Sequence, residues 1–388
     1  MLMENVPALM RKHYGTTEPG KVKAMREKDS KIWGASFLAP GDTATSLPLP
    51  YYAPDKTLPP IPTAQEIEAA AKILANRNRS PPFSGVLVVR VHNVYAVKVG
   101  TTMRLFQEAD NLVYLQQHPI KTPRVYALFS ATGSNPFCDR DDVRARSQSM
   151  HYLVTDFLPG LTLDEDEWLQ LDASVQTKLF EKLAAEVKLL RSVAPPDPAY
   201  YGSVDGRGYR PGMPFTKYRS TDTPGPFYSY EAFIDQVYRT FEVNAIGRLL
   251  KHPEDEIFPA MQLYSSIFFS EFGKATPSSR EPKLTHMDIT MGNIRFVPSA
   301  KSGIKHSEAS MESLSARVND YEVWLIDWET LSWLPAWAEV AALMTTLPRR
   351  YGGIDDFALS GVGKGIQPFP YSEAIFYQKC CEVFGGLI

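Results

Sequence analysis

His286-Met287-Asp288-Ile289-Thr290-Met291-Gly292-Asn293 is the stretch on which the reading of this chain turns. A tight loop with this spacing can aim the Asp288 carboxylate at a nucleophile and, about one turn later, the Asn293 amide oxygen at a divalent metal. A polar loop with a histidine and an asparagine cap is the plainer alternative. Downstream, Val323-Trp324-Leu325-Ile326-Asp327-Trp328-Glu329 reads as an apolar strand that ends in a carboxylate. Burying a carboxylate unpaired is costly, so Asp327 needs a cation or several donors there. Capping a turn would be its plainer role. Between the two motifs lie a short apolar strand, Ile294–Val297, and a polar segment, 299–320, that reads as a mobile loop lengthening a hairpin.

Upstream, Val86–Val91 and Val94–Val99 read as two strands joined at His92–Asn93. Lys98 ends the second apolar run and could reach a phosphate if a helix carboxylate oriented it. Glu108 is the candidate, in a helix with Leu105, Ala109, Leu112 and Leu115 on one face. The plainer readings are a lysine stretched along an edge strand with its head in water, and an exposed helix glutamate. Before the hairpin, Thr63 and Glu66 form a capping box ahead of Ile67, Ala70, Ala71 and Leu74. After it come strands at Val125–Phe129 and Tyr152–Leu158, separated by a polar loop at 131–150. Beyond Pro159–Gly160 the pattern turns helical. Val175, Leu179, Leu183, Val187 and Leu190 mark a long amphipathic helix that Pro195–Pro196 ends. A Gly/Pro/Tyr-rich connector covers 196–227, and helices are expected at 229–251, 257–273, 335–347 and 371–384. The fold class is therefore α+β. Residues 63–158 form a small antiparallel sheet lobe with one helix, and 159–388 a larger, mainly helical lobe. Residues 1–62 form an extension, rich in Lys and Arg in its first half and in Pro in its second. It is open between a packed arm and a loose tail, with Trp33, Phe37 and Tyr51–Tyr52 favouring the arm.

Of 388 residues, 44% are hydrophobic and 22% charged, enough to bury a substantial core. A net charge of −3 gives no broad positive field, which argues against a nucleic-acid partner. The cysteines Cys138, Cys380 and Cys381 form neither a disulfide framework nor a Cys-x-x-Cys zinc motif. No run approaches the roughly 20 apolar residues of a membrane span. The beginning of the chain lacks the pattern of a signal peptide, so a cytoplasmic location is expected. Oligomeric state is not encoded in any recognisable pattern.

Taken in order, Lys98, Glu108, the Tyr152–Gly160 strand, His-x-Asp-x4-Asn, a strand, and Ile326-Asp327-Trp328-Glu329 resemble the aminoglycoside phosphotransferase and choline-kinase-like family. Ala96–Glu108, Tyr152–Leu163, Leu284–Phe296 and Leu325–Leu343 look especially like its members in filamentous fungi. The likeness runs from about residue 63 to 388. It implies a two-lobed protein-kinase-like fold and transfer of the γ-phosphate of ATP to a hydroxyl of a small-molecule metabolite, with Mg²⁺. By resemblance Asp288 would be the catalytic base or orienting carboxylate, and His286 would brace the loop. Asn293 and Asp327 would hold Mg²⁺, while Lys98 and Glu108 would anchor the phosphates. Main-chain groups near Asp156 and Leu158 would hydrogen-bond the adenine, and Glu339 would be structural. Three departures mark the chain. Ser80-Pro81-Pro82-Phe83-Ser84-Gly85 has one glycine where a glycine-rich loop is expected. Met287 stands where glycine is commonest. The third is a departure from protein kinases alone: Trp328-Glu329 follows Asp327 where they have Phe-Gly, which separates this chain from them. The single glycine, Met287 and the unmatched N-terminal arm keep open an alternative: a kinase-fold protein without kinase activity, repurposed for binding or for other chemistry on a specialised metabolite. The acidic run Asp164, Glu165, Asp166, Glu167 could attract a cationic acceptor or simply begin a helix.

Overall fold

The computed structural model describes residues 6–35, 45–54, 59–77, 86–133, 148–209, 224–251, 258–305, 308–350 and 361–385. The stretch Ser80–Gly85, together with Phe37, Cys138 and the middle of the 196–227 connector, lies outside them. So does the side chain of Trp33. In chain order the elements begin with α1 (Val6–Tyr14), α2 (Pro19–Ala35), β1 (Tyr51–Tyr52), α3 (Ala64–Arg77), β2 (Val86–Val91), β3 (Tyr95–Gly100), α4 (Arg104–Leu115), β4 (Val125–Gly133) and β5 (Gln148–Asp156). There follow α5 (Glu165–Leu169), α6 (Ala173–Arg191), β6 (Gly202–Ser203), α7 (Tyr230–Lys251), α8 (Phe258–Gly273), α9 (Pro277–Arg280), β7 (Pro282–Thr285) and β8 (Ile294–Pro298). The last are α10 (Met311–Ala316), β9 (Tyr321–Leu325), β10 (Ser332–Pro335), α11 (Ala338–Arg350), α12 (Gly363–Gly365) and α13 (Tyr371–Phe384). The chain divides into two compact units. One comprises Met1–Phe37, Gln176–Thr290 and Leu331–Ile388; the other comprises Leu38–Val175 and Met291–Thr330.

The second unit is built on a five-stranded antiparallel sheet in the order β1-β4-β5-β3-β2. The β2–β3 hairpin turns at His92 and Asn93, both with positive φ (51° and 62°). This left-handed pair matches the strand twist, and asparagine tolerates it better than most residues. Alternation then sorts the side chains of β3. Tyr95, Val97 and Val99 enter a core with Ile67 and Ala71 of α3, Leu87, Val89, Tyr152 and Val154. Lys98 is thereby sent to the opposite face. Helix α3 starts at the expected capping box: the Thr63 N–H donates to Glu66 Oε2 at 2.8 Å, and the Glu66 N–H donates to Thr63 Oγ1 at 3.3 Å. Strands β8 and β9 form a two-stranded ribbon with Ile294 opposite Leu325.

Segment 299–320 is not simply a loop. Ser310 caps α10, Leu314 and Val318 are buried, and Tyr321 Oη donates to Ser313 Oγ at 3.0 Å. Two apolar side chains in a polar stretch were enough to order a helical turn, a signal its composition hides. The acidic run at 164–167 begins a helix: Asp164 accepts from the Glu167 N–H while the Glu167 carboxylate accepts from the Asp164 N–H, a reciprocal cap.

In the first unit, α7, α8, α11 and α13 pack around an aromatic core that includes Phe233, Phe241, Phe268, Phe272, Trp337 and Tyr377. The helices expected at 229–251, 257–273 and 371–384 are present. That expected at 335–347 begins only at Ala338, because Ser332–Pro335 is spent on a strand. That strand, β10, sits between β6 and β7 in a small antiparallel sheet not foreseen from the sequence. The described helices of the early extension are packed. Leu9, Met10, Tyr14 and Val22 are buried, and α1 lies against α7. There the buried Glu242 accepts from Lys12 Nζ at 2.9 Å and lies 2.9 Å from His13 Nε2. Among the described residues no helix is long and apolar enough to cross a membrane.

Candidate active site

Lys98 of β3 meets Glu108 of α4 at 2.7 Å and the Asp327 carboxylate at 2.7 Å. Glu108 is nearly fully buried, whereas Asp327 keeps 36% of its side-chain exposure, so one carboxylate is sealed and the other faces solvent. Burial alone would discharge the Lys98 ammonium, but Glu108 and Asp327 outweigh it and hold the lysine pKa above its ordinary value. Burial pushes the Glu108 carboxyl up to about 7; Lys98 opposes the rise and Asp327 adds to it. Both pKa values rise, which favours charge on the lysine and opposes it on the glutamate. One ammonium serving two carboxylates stays firmly charged, and the buried carboxylate is the strained member.

Three more side chains of α4 and its surroundings tie this cluster down. Asn111 Nδ2 donates to the Trp328 carbonyl at 2.6 Å, and the Trp328 N–H donates to Glu108 at 3.4 Å. Arg104 pairs with Glu329 at 3.0 Å. Arg104, Glu108 and Asn111 are spaced i, i+4, i+7 and therefore share one helix face. That spacing was visible in the sequence and was missed. Asp327 itself adopts a left-handed backbone, φ 66°.

Asn293 precedes β8 and Asp327 follows β9. The Ile294–Leu325 register and the Ile326 N–H bond to the Asn293 carbonyl (2.9 Å) put both at one end of the ribbon. A carboxylate and an amide oxygen are hard donors suited to Mg²⁺, which takes few protein ligands and completes its shell with water and phosphate. No cluster of three or more His, Cys, Asp or Glu side chains arranged to hold a metal exists among the described residues.

Asp156 and Leu158 stand where β5 leaves the sheet. The Asp156 carboxylate accepts from the Arg124 N–H and from Tyr126 Oη, each at 2.8 Å, and its N–H donates to the Arg124 carbonyl. The Leu158 carbonyl accepts from Arg295 at 3.0 Å, and the same guanidinium reaches the Gly160 carbonyl at 2.7 Å. Next, Leu161 bridges to Phe296 of β8 through bonds of 3.1 and 2.8 Å. A Cβ on Gly160 would fall 2.2 Å from the Phe296 carbonyl oxygen, so this approach admits only glycine. Arg295, a lone charge inside an apolar strand, carries the stitching and was also missed.

His286, Met287 and Asp288 belong to the first unit; the division of the chain falls between Thr290 and Met291. His286 is fully buried. Its N–H donates to Glu339 Oε2 at 2.8 Å, the Met287 N–H donates to Glu339 Oε1 at 2.9 Å, and the Asp288 N–H donates to His286 Nδ1 at 3.3 Å. One buried carboxylate thus satisfies two successive peptide groups. Met287 has φ 71°, a left-handed backbone that glycine adopts more easily than any side-chain-bearing residue. Burial raises the Glu339 carboxyl; His286, Arg191 and the two N–H bonds oppose it. Arg191, at the end of α6, donates to the Ala336 carbonyl at 2.8 Å and is itself pushed down to about 10 by burial. As the last residue of an amphipathic helix it gave no sequence signal.

No protein-family model matches the chain, and no curated protein matches it. Among solved structures it is similar to aminoglycoside phosphotransferases. The GDP complex of a mutant aminoglycoside 2'-phosphotransferase-IIIa matches at 11% identity and TM-score 0.47, covering 82% of this chain and 88% of that one. The streptomycin–ATP ternary complex of APH(2")-IIa matches at 14% identity and TM-score 0.41, covering 80% and 86%. A thermostable mutant of APH(4)-Ia matches at 12% and 0.42, covering 77% and 80%.

Proposed function

We propose that this protein is a small-molecule phosphotransferase that moves the γ-phosphate of ATP to an acceptor hydroxyl. The observation that carries the reading is Lys98 held between sealed Glu108 and partly open Asp327, each at 2.7 Å. A lysine oriented in this way presents a fixed positive charge to phosphate oxygens. Asp327 and Asn293 would hold Mg²⁺, which when bound neutralises phosphate charge. Asp288 would take the proton from the acceptor hydroxyl as the new P–O bond forms and the bond to ADP breaks. Glu339 and His286 hold the backbone that carries Asp288. Arg295 fixes the turn at Leu158–Gly160, beside which the base would stack.

The test pairs binding with turnover. Mg-ATP should raise the melting temperature of the wild type, ATP with a chelator should not, and Asp327→Asn should abolish the difference. At about 100 times Kd the stabilisation is about 2.7 kcal/mol. Against a panel of hydroxylated metabolites, Asp288→Asn should lose roughly a hundredfold or more in turnover. A wild type indifferent to Mg-ATP would overturn the reading in favour of a repurposed scaffold.

A further inference from the structure

We propose that residues 45–52 form a strap that fixes α4 where Glu108 reaches Lys98, with Asp110 as the positioning residue that receives it. Asp110 is buried at 5% exposure. Its carboxylate accepts from Thr45 Oγ1 at 2.5 Å, from Ser46 Oγ at 2.8 Å and from the Ser46 N–H at 3.0 and 3.2 Å. Thr45 also closes its own turn, accepting from the Leu47 N–H at 3.0 Å. Only a few residues further on, Tyr51 and Tyr52 pair with Leu128 and Ala127 of β4. The Ala53 N–H donates to the Tyr126 carbonyl at 2.8 Å, and Tyr52 stacks on Phe129 at 6.1 Å. The strap is therefore anchored at both ends, on the sheet and on the helix.

The geometry of α4 makes this grip matter. At its N-terminus the Met103 side chain makes no cap and the Thr102 hydroxyl accepts from the Arg104 N–H at 3.3 Å, so holds further along the helix add to what fixes its position. At about 100° per residue, Asp110 points roughly 200° away from Glu108. Arg104, Glu108 and Asn111 engage one flank, while the strap holds the other. With both flanks secured, the helix cannot roll and Glu108 stays against Lys98. The strap belongs to the extension that lies outside the family resemblance, so this chain supplies from its own N-terminal region a restraint on the ion pair. The consequence for nucleotide binding rests on the phosphotransfer reading; the restraint itself does not.

The experiment labels lysines of the nucleotide-free full chain with an amine-selective acylating ester and follows each site by mass spectrometry. In Asp110→Ala, Lys98 should acylate on the order of tenfold faster than in the wild type, with Lys188 and Lys283 of the other unit unchanged. Should Asp110→Ala fail to fold, Thr45→Val with Ser46→Ala removes both hydroxyl donors and should give the same selective rise. Ser46→Thr alone, which keeps the hydroxyl, should leave the wild-type rate unchanged. An unchanged Lys98 in a folded variant overturns the strap, as does an equal rise at all three lysines. Mg-ATP titration of the same proteins separates the two readings. Weaker binding in the strap variants supports both. A wild type that ignores Mg-ATP sinks phosphotransfer, while the labelling ratio still decides the strap.

Discussion

Glu108 and Glu339 are both buried carboxylates, one in each unit, and burial raises both. Their partners differ. Glu108 faces a flexible ammonium that also serves Asp327, whereas Glu339 faces two consecutive peptide N–H groups fixed in the backbone. The first arrangement can be renegotiated when another charge arrives, and the second cannot. Buried charge in this protein thus has two uses: at Glu108 to keep a cation ready, and at Glu339 to hold the backbone in one shape.

The largest way to break this contrast is Glu339→Ala. It strands two peptide N–H groups and leaves Arg191 without its counter-charge, so urea unfolding should show a loss of about 3–5 kcal/mol. Glu108→Gln should leave a folded protein and weaken Mg-ATP binding on the order of tenfold by isothermal titration. It also sharpens the comparison through pH. A carboxyl raised from 4.5 to about 7 on folding makes stability fall as pH rises between those values, because the unfolded chain ionises first. The fall in melting temperature across that window should be shallower in Glu108→Gln than in the wild type. The smallest effect concerns the backbone that Glu339 holds. Met287→Gly and Met287→Ala both forfeit a buried side chain, but only glycine accepts φ 71° without strain. The glycine variant should be the more stable of the two by about 1 kcal/mol in chemical denaturation.

The fold was most legible where periodicity and turn chemistry agreed. The β2–β3 hairpin, the Thr63 cap and the long helices follow from patterns of two and 3.6 with punctuating residues. The short strands β6, β7 and β10 escaped because two to four residues carry no period, and their pairing partners are remote in the chain. The N-terminal helices escaped because lysines and arginines obscured the few apolar positions that dock. At the candidate site, motif residues announced themselves by chemistry, but their supports did not. Arg191 and Arg295 act on carbonyls, which every residue possesses, so no spacing rule points to them. Asp110 looked like any polar helix residue until its partners arrived from 64 and 65 positions away.

The order in which the chain visits its two units has a consequence for synthesis. Residues 38–175 make most of one unit, yet its ribbon, 291–330, is supplied only after a long excursion into the other. Lys98 and Asp327 are 229 positions apart. A ribosome therefore releases the sheet well before the ribbon exists, and the unit built on that sheet cannot be finished before residue 330 has emerged. Nascent molecules must wait with an incomplete half, which makes late-truncated products and slow elongation hazards for this protein's yield.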